Sequence, residues 1–371
     1  MKILRKMFFR EFLGIFIASL ATISVIFLLV DFFDRVQRFV GEGGAPVKLL
    51  GTYLLYKLPQ ILYDIAPLNI PLATLITLGM FNRRSELVAI RAAGIPIRAV
   101  LRPIFLFAVL VAVILAAANE NVLPQSNMRQ ERIHEEIKRY KKSRKEAIRG
   151  KRVKKGPVKY VSGWYRGAKG IYFLKGYRID ERRIRNFIIL EMGADFRVLR
   201  RIEAEKAYWQ NNKWVGHNVF VRDFLENGEV RVARFEKTDI DIPETEAELE
   251  IMEKESKEMG FFELALYIAR LESTGSDMRP FRVDMWAKLT YPISGIILLA
   301  LVVPLGLKSG RGAGVASGIV YSLVICLAYY EFNAWVLSLG RGGALQYPLA
   351  AALTAPILFG VAALPMYFRS N

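Results

Sequence analysis

Long apolar stretches alternate with charged segments along this chain. Six of these stretches reach about 20 residues, the length that an α-helix needs to cross a bilayer. They run roughly over Phe12–Phe33, Tyr53–Phe81, Ala99–Val122, Ala287–Leu307, Ala313–Leu337 and Tyr347–Phe368. The pattern predicts an α-helical membrane protein with six transmembrane helices, three before and three after a large hydrophilic insert.

The insert combines a charged helix with short strand-like segments. Arg129–Lys145 is charged and has a helical pattern, whereas Phe261–Ser273 predicts an amphipathic helix that leads back to the membrane. Between them, short segments mix aromatic and β-branched residues and are separated by Gly, Asn or Asp, which is typical of strands. These segments are Val158–Ser162, Ile171–Tyr177, Phe187–Glu191, Val198–Ala207, Trp214–Arg222 and Val230–Thr238. They predict an inserted all-β domain of the jelly-roll type.

Three regions follow from this pattern. Residues 1–126 hold transmembrane helices 1–3, residues 127–284 form the jelly-roll-like domain with its flanking helices, and residues 285–371 hold transmembrane helices 4–6. The composition agrees, with 53% hydrophobic residues beside a net charge of +18. Cations dominate the short loops on one side of the predicted membrane, so both termini are expected in the cytoplasm and the insert outside it.

The sequence argues against catalysis. It contains no phosphate-binding loop of the Gly-x-x-x-x-Gly-Lys-Ser/Thr type, no His-Glu-x-x-His and no Gly-x-Ser-x-Gly. His134 and His217 are its only histidines, and Cys326 is its only cysteine. We therefore expect no catalytic, cofactor-binding or metal-binding residues and no disulfide within the chain.

A short charged helix is predicted at about residues 82–94, between the second and third apolar stretches. Ser85 can cap its start, and Glu86 lies in the first turn, where the helix dipole favours an acid. Gly94 can end the helix, and Pro96 prevents its continuation. A plain turn would need only a few polar residues, so we interpret the helix as a contact for another protein. A second interpretation of Glu86, as an acid that only complements the dipole, stays open.

Charged residues at the outer end of the first stretch are candidates for lipid contact. Asp31, Asp34 and Arg38 share a helical face, and Arg35 lies beside them. Charges at the membrane border favour a functional site. The alternative is a solvated helix end with local ion pairs.

Three further cations are candidates for anionic lipid headgroups. Arg129 and Arg132 lie just beyond the third stretch, where a solvated helix face is the alternative. Lys288 lies just inside the fourth stretch, where it can also extend to the interface beside Trp286.

Four glycines recur every four residues around the start of the fifth stretch. Gly314 and Gly318 form a Gly-x-x-x-Gly pair that lets helices approach closely, within the subunit or between subunits. Gly306 and Gly310 are expected to lie in turns.

Several motifs occur in a fixed order along this frame. They are Arg83–Leu87 with Gly94, Val122–Pro124, Ala204–Trp209 with Lys213-Trp214, and Phe281–Leu289 with Pro292. Taken together over nearly the whole chain, they resemble the LptF/LptG family of permeases, the transmembrane subunits of the lipopolysaccharide export transporter. The Val30–Asp34 stretch and the Arg-Arg-Ser-Glu-Leu loop are more similar to LptG than to LptF.

The resemblance implies an ATP-driven transport subunit in the bacterial inner membrane. It implies pairing with an LptF-like permease and docking on an LptB-like ATPase dimer, which binds ATP and magnesium, so that this chain holds no cofactor. Lipopolysaccharide would pass to an LptC-like single-span jelly-roll protein and an LptA-like periplasmic bridge, and no nucleic acid is involved. Glu86 would contact the ATPase, with Arg83, Arg84 and Leu87 around it.

Other classes fit the sequence less well. Mechanotransmission permeases of the FtsX or MacB type have four spans with the insert after the first, whereas here the insert follows the third. A membrane enzyme acting on lipids would need a clustered acid, base or metal set. A membrane-anchored scaffold would not need the short charged helix.

Overall fold

The computed structural model describes most of the chain. The residues that it describes are 2–37, 39, 46–148, 163–167, 170–178, 183–193, 197–210, 213–225, 228–240, 254–273, 277–308 and 315–346. The chain divides into two compact units. One comprises Met1–Arg144, Ser256–Ala265 and Arg279–Asn371, and the other comprises Lys145–Glu255 and Leu266–Met278.

Long apolar helices build the first unit. They are α1 (Lys2–Val36), α2 (Val47–Arg83), α4 (Ile97–Asn121), α7 (Arg279–Lys308) and α8 (Val315–Arg341), with the short α3 (Glu86–Ala92) between α2 and α4. Each long helix holds a segment that is long and apolar enough to cross a membrane. These helices correspond to the first five predicted stretches. The sixth, Tyr347–Phe368, lies outside the described residues, so the number of six spans stays a prediction.

Two other helices flank the sheet in the sequence. α5 (Leu123–Ile148) follows α4 after a single residue and includes the predicted helix Arg129–Lys145. α6 (Phe261–Ser273) has the bounds that its amphipathic pattern predicts. A 3-10 turn, Ser256–Glu258, lies shortly before α6.

The central helix of the first unit is α2, which packs against α1, α4, α7 and α8. Polar contacts hold three of these neighbours. Asn69 Nδ2 donates to the carbonyl of Phe16 in α1 at 2.8 Å, and Tyr291 of α7 donates to the carbonyl of Asp64 at 2.6 Å. The Cys326 thiol of α8 donates to the carbonyl of Leu68 at 3.5 Å. Lipid tails are as apolar as the helix surfaces, so apolar burial alone does not favour contact between helices in a membrane. Hydrogen bonds between helices therefore help to hold them together.

Gly306 is a packing glycine of α7, so its predicted place in a turn is wrong. A Cβ at this position would lie 2.7 Å from Leu75 Cδ2 and 2.8 Å from Leu78 Cδ1. The missing side chain therefore lets α7 approach α2 closely. Gly310 lies outside the described residues.

An antiparallel sheet forms the second unit. Each strand pairs with the next in sequence, in the order β1 to β6. The strands are β1 (Gly163–Gly167), β2 (Gly170–Arg178), β3 (Arg183–Met192), β4 (Val198–Gln210), β5 (Lys213–Phe224) and β6 (Val230–Ile240). The last five coincide with predicted strands, whereas β1 was not predicted and Val158–Ser162 lies outside the described residues. The jelly-roll arrangement stays a prediction.

A change of face runs across this sheet. In β3, the buried residue before Asn186 has an even number, Ile184. The buried residues after it, Phe187 and Ile189, have odd numbers, although all three belong to the same buried cluster. Asn186 has a φ of 46°, and Asn218, the corresponding residue of β5, has a φ of 51°. A left-handed residue reverses the face on which the following side chains lie, and asparagine tolerates this conformation. One buried core therefore continues past the break.

Candidate functional site

The predicted charged segment divides between two helices. Asn82 and Arg83 complete α2, Arg84 and Ser85 form a turn, and α3 begins at Glu86. Ser85 has a φ of 60° and makes no side-chain capping bond, so its predicted capping role is wrong. An N-cap needs extended backbone to turn its oxygen towards the helix.

The end of α3 agrees with the sequence. Gly94 has a φ of 69°, and its N–H donates to the carbonyl of Arg91 at 3.0 Å. Glycine takes this left-handed conformation without a Cβ clash, so the helix ends where predicted.

One face of α3 is anchored, and the other is exposed. Leu87 is 4% exposed and Ile90 is 6% exposed, and both pack in the buried cluster that contains Phe8 of α1 and Phe81 of α2. Val88 and Ala89 lie on the exposed face. The Leu87 side chain fixes α3 to the unit, and its predicted place around Glu86 at an ATPase contact stays a prediction.

The charged residues of α3 lie beside this anchor. The Glu86 side chain is 33% exposed, and its Oε1 lies 3.8 Å from Arg84 Nη1. The same Arg84 atom lies 2.9 Å from Glu11 Oε1 of α1. Arg83 is exposed at the end of α2, and Arg91 donates to the carbonyl of Leu307 in α7 at 3.1 Å. These contacts connect the exposed surface of α3 to α1 and α7.

At the other end of α1, two cations share one carboxylate. Arg35 Nε donates to both oxygens of Asp31, at 2.9 and 3.0 Å, and Lys57 Nζ of α2 lies 2.5 Å from Asp31 Oδ1. The Arg35 guanidinium also lies 4.6 Å from the ring centre of Tyr53. The local ion pairs of the alternative interpretation thus exist, with two cations on one carboxylate. Sequence reasoning missed Lys57 because it belongs to the next helix.

The other headgroup candidates divide between two places. The Arg129 guanidinium lies 5.9 Å from the ring centre of Tyr56, which neighbours Lys57, and Arg132 is exposed farther along α5. Lys288 instead donates to Asn119 Oδ1 of α4 at 3.3 Å. Arg38 lies outside the described residues.

Lys288 also borders a cavity of about 210 Å³ in the first unit. Asp64, Asn119, Asp284 and Arg341 line it as well. Arg341 Nη2 lies 2.7 Å from Asp284 Oδ1. These contacts place Lys288 in a polar site apart from the Asp31 group.

The glycine pair is only partly described. Gly318 lies in the first turns of α8, and Gly314 lies outside the described residues. Its role in helix packing stays a prediction.

The chain is similar to known membrane permeases over nearly its whole length. The model of the family described as "Lipopolysaccharide export system permease LptF/LptG" matches residues 6–369. The chain is 22% identical over 326 residues to the lipopolysaccharide export system permease protein LptG of Escherichia coli strain K12, covering 84% of each chain. It is 21% identical over 338 residues to the protein of the same name from Haemophilus influenzae, covering 87% of each chain. The resemblance drawn from the sequence motifs, including its preference for LptG, is confirmed.

Proposed function

The chain belongs to the LptF/LptG family of lipopolysaccharide export permeases, and we propose that it is the LptG-like subunit of an ATP-driven transporter in the bacterial inner membrane. It extracts lipopolysaccharide from that membrane and passes it towards the outer membrane. In this proposal, separate ATPase subunits supply the chemistry and bind ATP with magnesium. Both termini are cytoplasmic in this proposal, and the sheet unit is periplasmic.

The observation that carries the proposal is the anchoring of α3. Leu87 and Ile90 fix this helix in the buried cluster, while Val88 and Ala89 are exposed and the Glu86 side chain is one-third exposed. A docked partner would bind this outer face. When it moves α3, the contacts of Arg84 with α1 and of Arg91 with α7 would transmit that movement to both helices. We assign α3 as the helix that couples the permease to an LptB-like ATPase dimer.

The exposed apolar faces of α1 and α8 support the proposal that these helices contact other molecules within the membrane. Ile26, Val30 and Phe33 of α1 are more than half exposed, as are Leu327 and Trp335 of α8. We propose that these faces contact lipid acyl chains and an LptF-like permease. An LptC-like single-span protein and an LptA-like bridge complete the path in the periplasm.

The cations around Asp31 suit the headgroup of the cargo. Arg35 and Lys57 both pair with Asp31, and Arg129 lies over the ring of Tyr56, the residue before Lys57. Phosphate groups form strong charge-assisted bonds with such cations. We propose that this group receives the phosphates of lipopolysaccharide as the lipid leaves the membrane.

Co-purification with LptF-like and LptB-like subunits tests the proposal. Glu86→Lys reverses a charge at the proposed contact, while Glu136→Lys makes the same reversal at an exposed site on α5. A reversed interface charge costs about 2 kcal/mol or more, roughly thirtyfold in affinity. We expect Glu86→Lys to lose the ATPase and ATP-dependent lipid release, Glu86→Ala to weaken both, and Glu136→Lys to keep both. An unchanged complex and unchanged release with correctly inserted Glu86→Lys would refute the role of α3.

A further inference from the structure

At the outer end of α4, the consecutive residues Asn119 and Glu120 contact α7 and the start of α6. Asn119 Nδ2 donates to the carbonyl of Lys288 in α7 at 3.2 Å, in addition to accepting from its ammonium group. The next residue, Glu120, accepts the backbone N–H of Phe261 on Oε2 at 2.6 Å. Phe261 is the first residue of α6, so the end of α4 fixes both α7 and the start of α6.

The segment before α6 is built into the first unit. Asn127, which is 4% exposed, donates from Nδ2 to the carbonyl of Lys257 at 2.7 Å, and Met259 is fully buried. A Cβ at Gly260 would lie 2.6 Å from Glu120 Oε1 and 2.8 Å from Glu120 Cδ. Glycine therefore leaves the room that the carboxylate occupies.

We use the name outer joint for Glu120, Asn127, Lys257, Gly260 and Phe261. Its bond between Glu120 and Phe261 joins an anionic acceptor to the first N–H of a helix. Such bonds are stronger than neutral ones, and the helix dipole favours an acid at this end. The outer joint therefore restrains the segment that connects the sheet to α6 along the chain.

The opposite end of α4 lies next to α3. Only residues 93–96 separate the two helices, and Pro96 directly precedes Ile97, the first residue of α4. α4 has 25 residues and spans about 37 Å. A four-residue link and then α4, which contains Pro103, thus lead from the proposed ATPase contact to the outer joint.

We propose that α4 transmits displacement of α3 to the outer joint, with Glu120 as its positioning residue. The inference rests on the proposed function, in which the ATPase moves α3. When α4 shifts, the bond from Glu120 moves the start of α6 with it, and so displaces the chain that connects to the sheet. Without that bond, the contact of Asn127 with Lys257 and the burial of Met259 still hold the connecting chain to the unit, but it follows α4 less closely. ATP hydrolysis then continues while less lipid is transferred for each ATP.

The test measures ATP hydrolysis and lipopolysaccharide transfer together, in proteoliposomes that contain the full permease–ATPase complex. Glu120→Ala removes the acceptor, whereas Glu120→Gln keeps an oxygen that can accept the Phe261 N–H. Asn121→Ala is the matched control, because Asn121 bonds only locally to the carbonyl of Ala117 among its described contacts. We expect Glu120→Ala to lower the lipid transferred per ATP by about tenfold, the loss of one hydrogen bond to a charged group. We expect Glu120→Gln to restore most of the ratio and Asn121→Ala to preserve it.

Gly260→Ala gives an independent variant, since its methyl group displaces the carboxylate without removing it. We expect the same fall in lipid per ATP, and no further fall in the double variant with Glu120→Ala, because both changes break one contact.

The outcomes separate the two proposals. A parent complex without ATP-dependent lipid transfer refutes the proposed function, and the inference falls with it. Suppose that the parent complex transfers lipid in an ATP-dependent way, and that Glu120→Ala and Gly260→Ala leave the lipid transferred per ATP unchanged. That result overturns the role of the outer joint alone. A parallel fall of hydrolysis and transfer, with loss of thermal stability, also overturns it, because Glu120 would then only hold the fold.

Discussion

Lys57 Nζ lies 2.5 Å from Asp31 Oδ1, in an ion pair that joins α2 to α1. Asp31 already accepts two bonds from Arg35, so its single negative charge serves two cations. Lys57 is therefore the second cation on this carboxylate. Under the proposed function, its removal weakens headgroup binding.

Lys57→Ala is expected to weaken lipopolysaccharide binding by the assembled complex about fivefold, because one charge-assisted contact to phosphate is lost. The Asp31–Arg35 pair remains, so the complex should still assemble. Lys138→Ala removes the same charge from an exposed lysine that pairs with Glu135 on α5, and serves as the control. Lipid retained on the purified complex measures the effect. Equal binding in both variants would exclude Lys57 from the headgroup contact.

Gly306→Ala is expected to destabilise the helical unit by about 1–3 kcal/mol, the usual effect of overpacking. Its new methyl group would meet Leu75 and Leu78 of α2 at less than normal contact distance. Gly51→Ala is the matched change, since a Cβ there meets nothing within 4 Å. That variant should be neutral or slightly stabilising, because alanine favours helix more than glycine does. Thermal unfolding in detergent compares the two, and equal melting temperatures would contradict close packing at Gly306.

Asn218→Val is expected to loosen the sheet, because a β-branched residue is strained at a φ of 51°. The cost is about 1–3 kcal/mol. Asn218→Gly loses the bond from Asn218 Nδ2 to Glu205 Oε2 but accepts the same backbone conformation, so it should be much better tolerated. Hydrogen exchange over β4–β6 in the full chain measures the difference. Similar protection in both variants would show that the left-handed conformation is not required.

His134 is expected to make the stability of the first unit depend on pH. Burial lowers the pKa of His134 below its ordinary value of 6.5, and Lys138 lowers it further, while Glu131 acts in the opposite direction. The unfolded chain therefore binds the proton more readily than the folded chain. Its contribution to stability is complete above pH 6.5 and declines as the pH falls from there towards the folded pKa.

We expect the melting temperature to fall between pH 7.5 and 5.5, and His134→Gln to reduce that fall, since the neutral amide does not titrate. The same fall in both proteins would show that other groups account for it.

Local patterns predicted the elements well, because helix and strand periods belong to consecutive residues. The bounds of α6 follow from its amphipathic period, and Gly94 marks the end of α3. The start of α3 was harder to predict. Ser85 has the residue type of a cap, but the tight turn after α2 forces it into a left-handed conformation.

Contacts between distant residues could not be predicted in the same way. Lys57 is 26 residues from Asp31, and Phe261 is 141 residues from Glu120. Each pair forms only because packed helices bring the residues together, and neither residue carries a motif that identifies its partner. The candidate headgroup cations were therefore only partly identified, and the outer joint was missed.

The central place of α2 has a consequence for biogenesis. The ribosome completes α2 before the entire sheet unit, and only afterwards makes α7 and α8, which cover it. Until then, the carbonyl of Asp64 lacks its bond from Tyr291, and the close contact of Leu75 and Leu78 with Gly306 is absent. A nascent chain that stops before Arg279 therefore leaves this face of α2 uncovered.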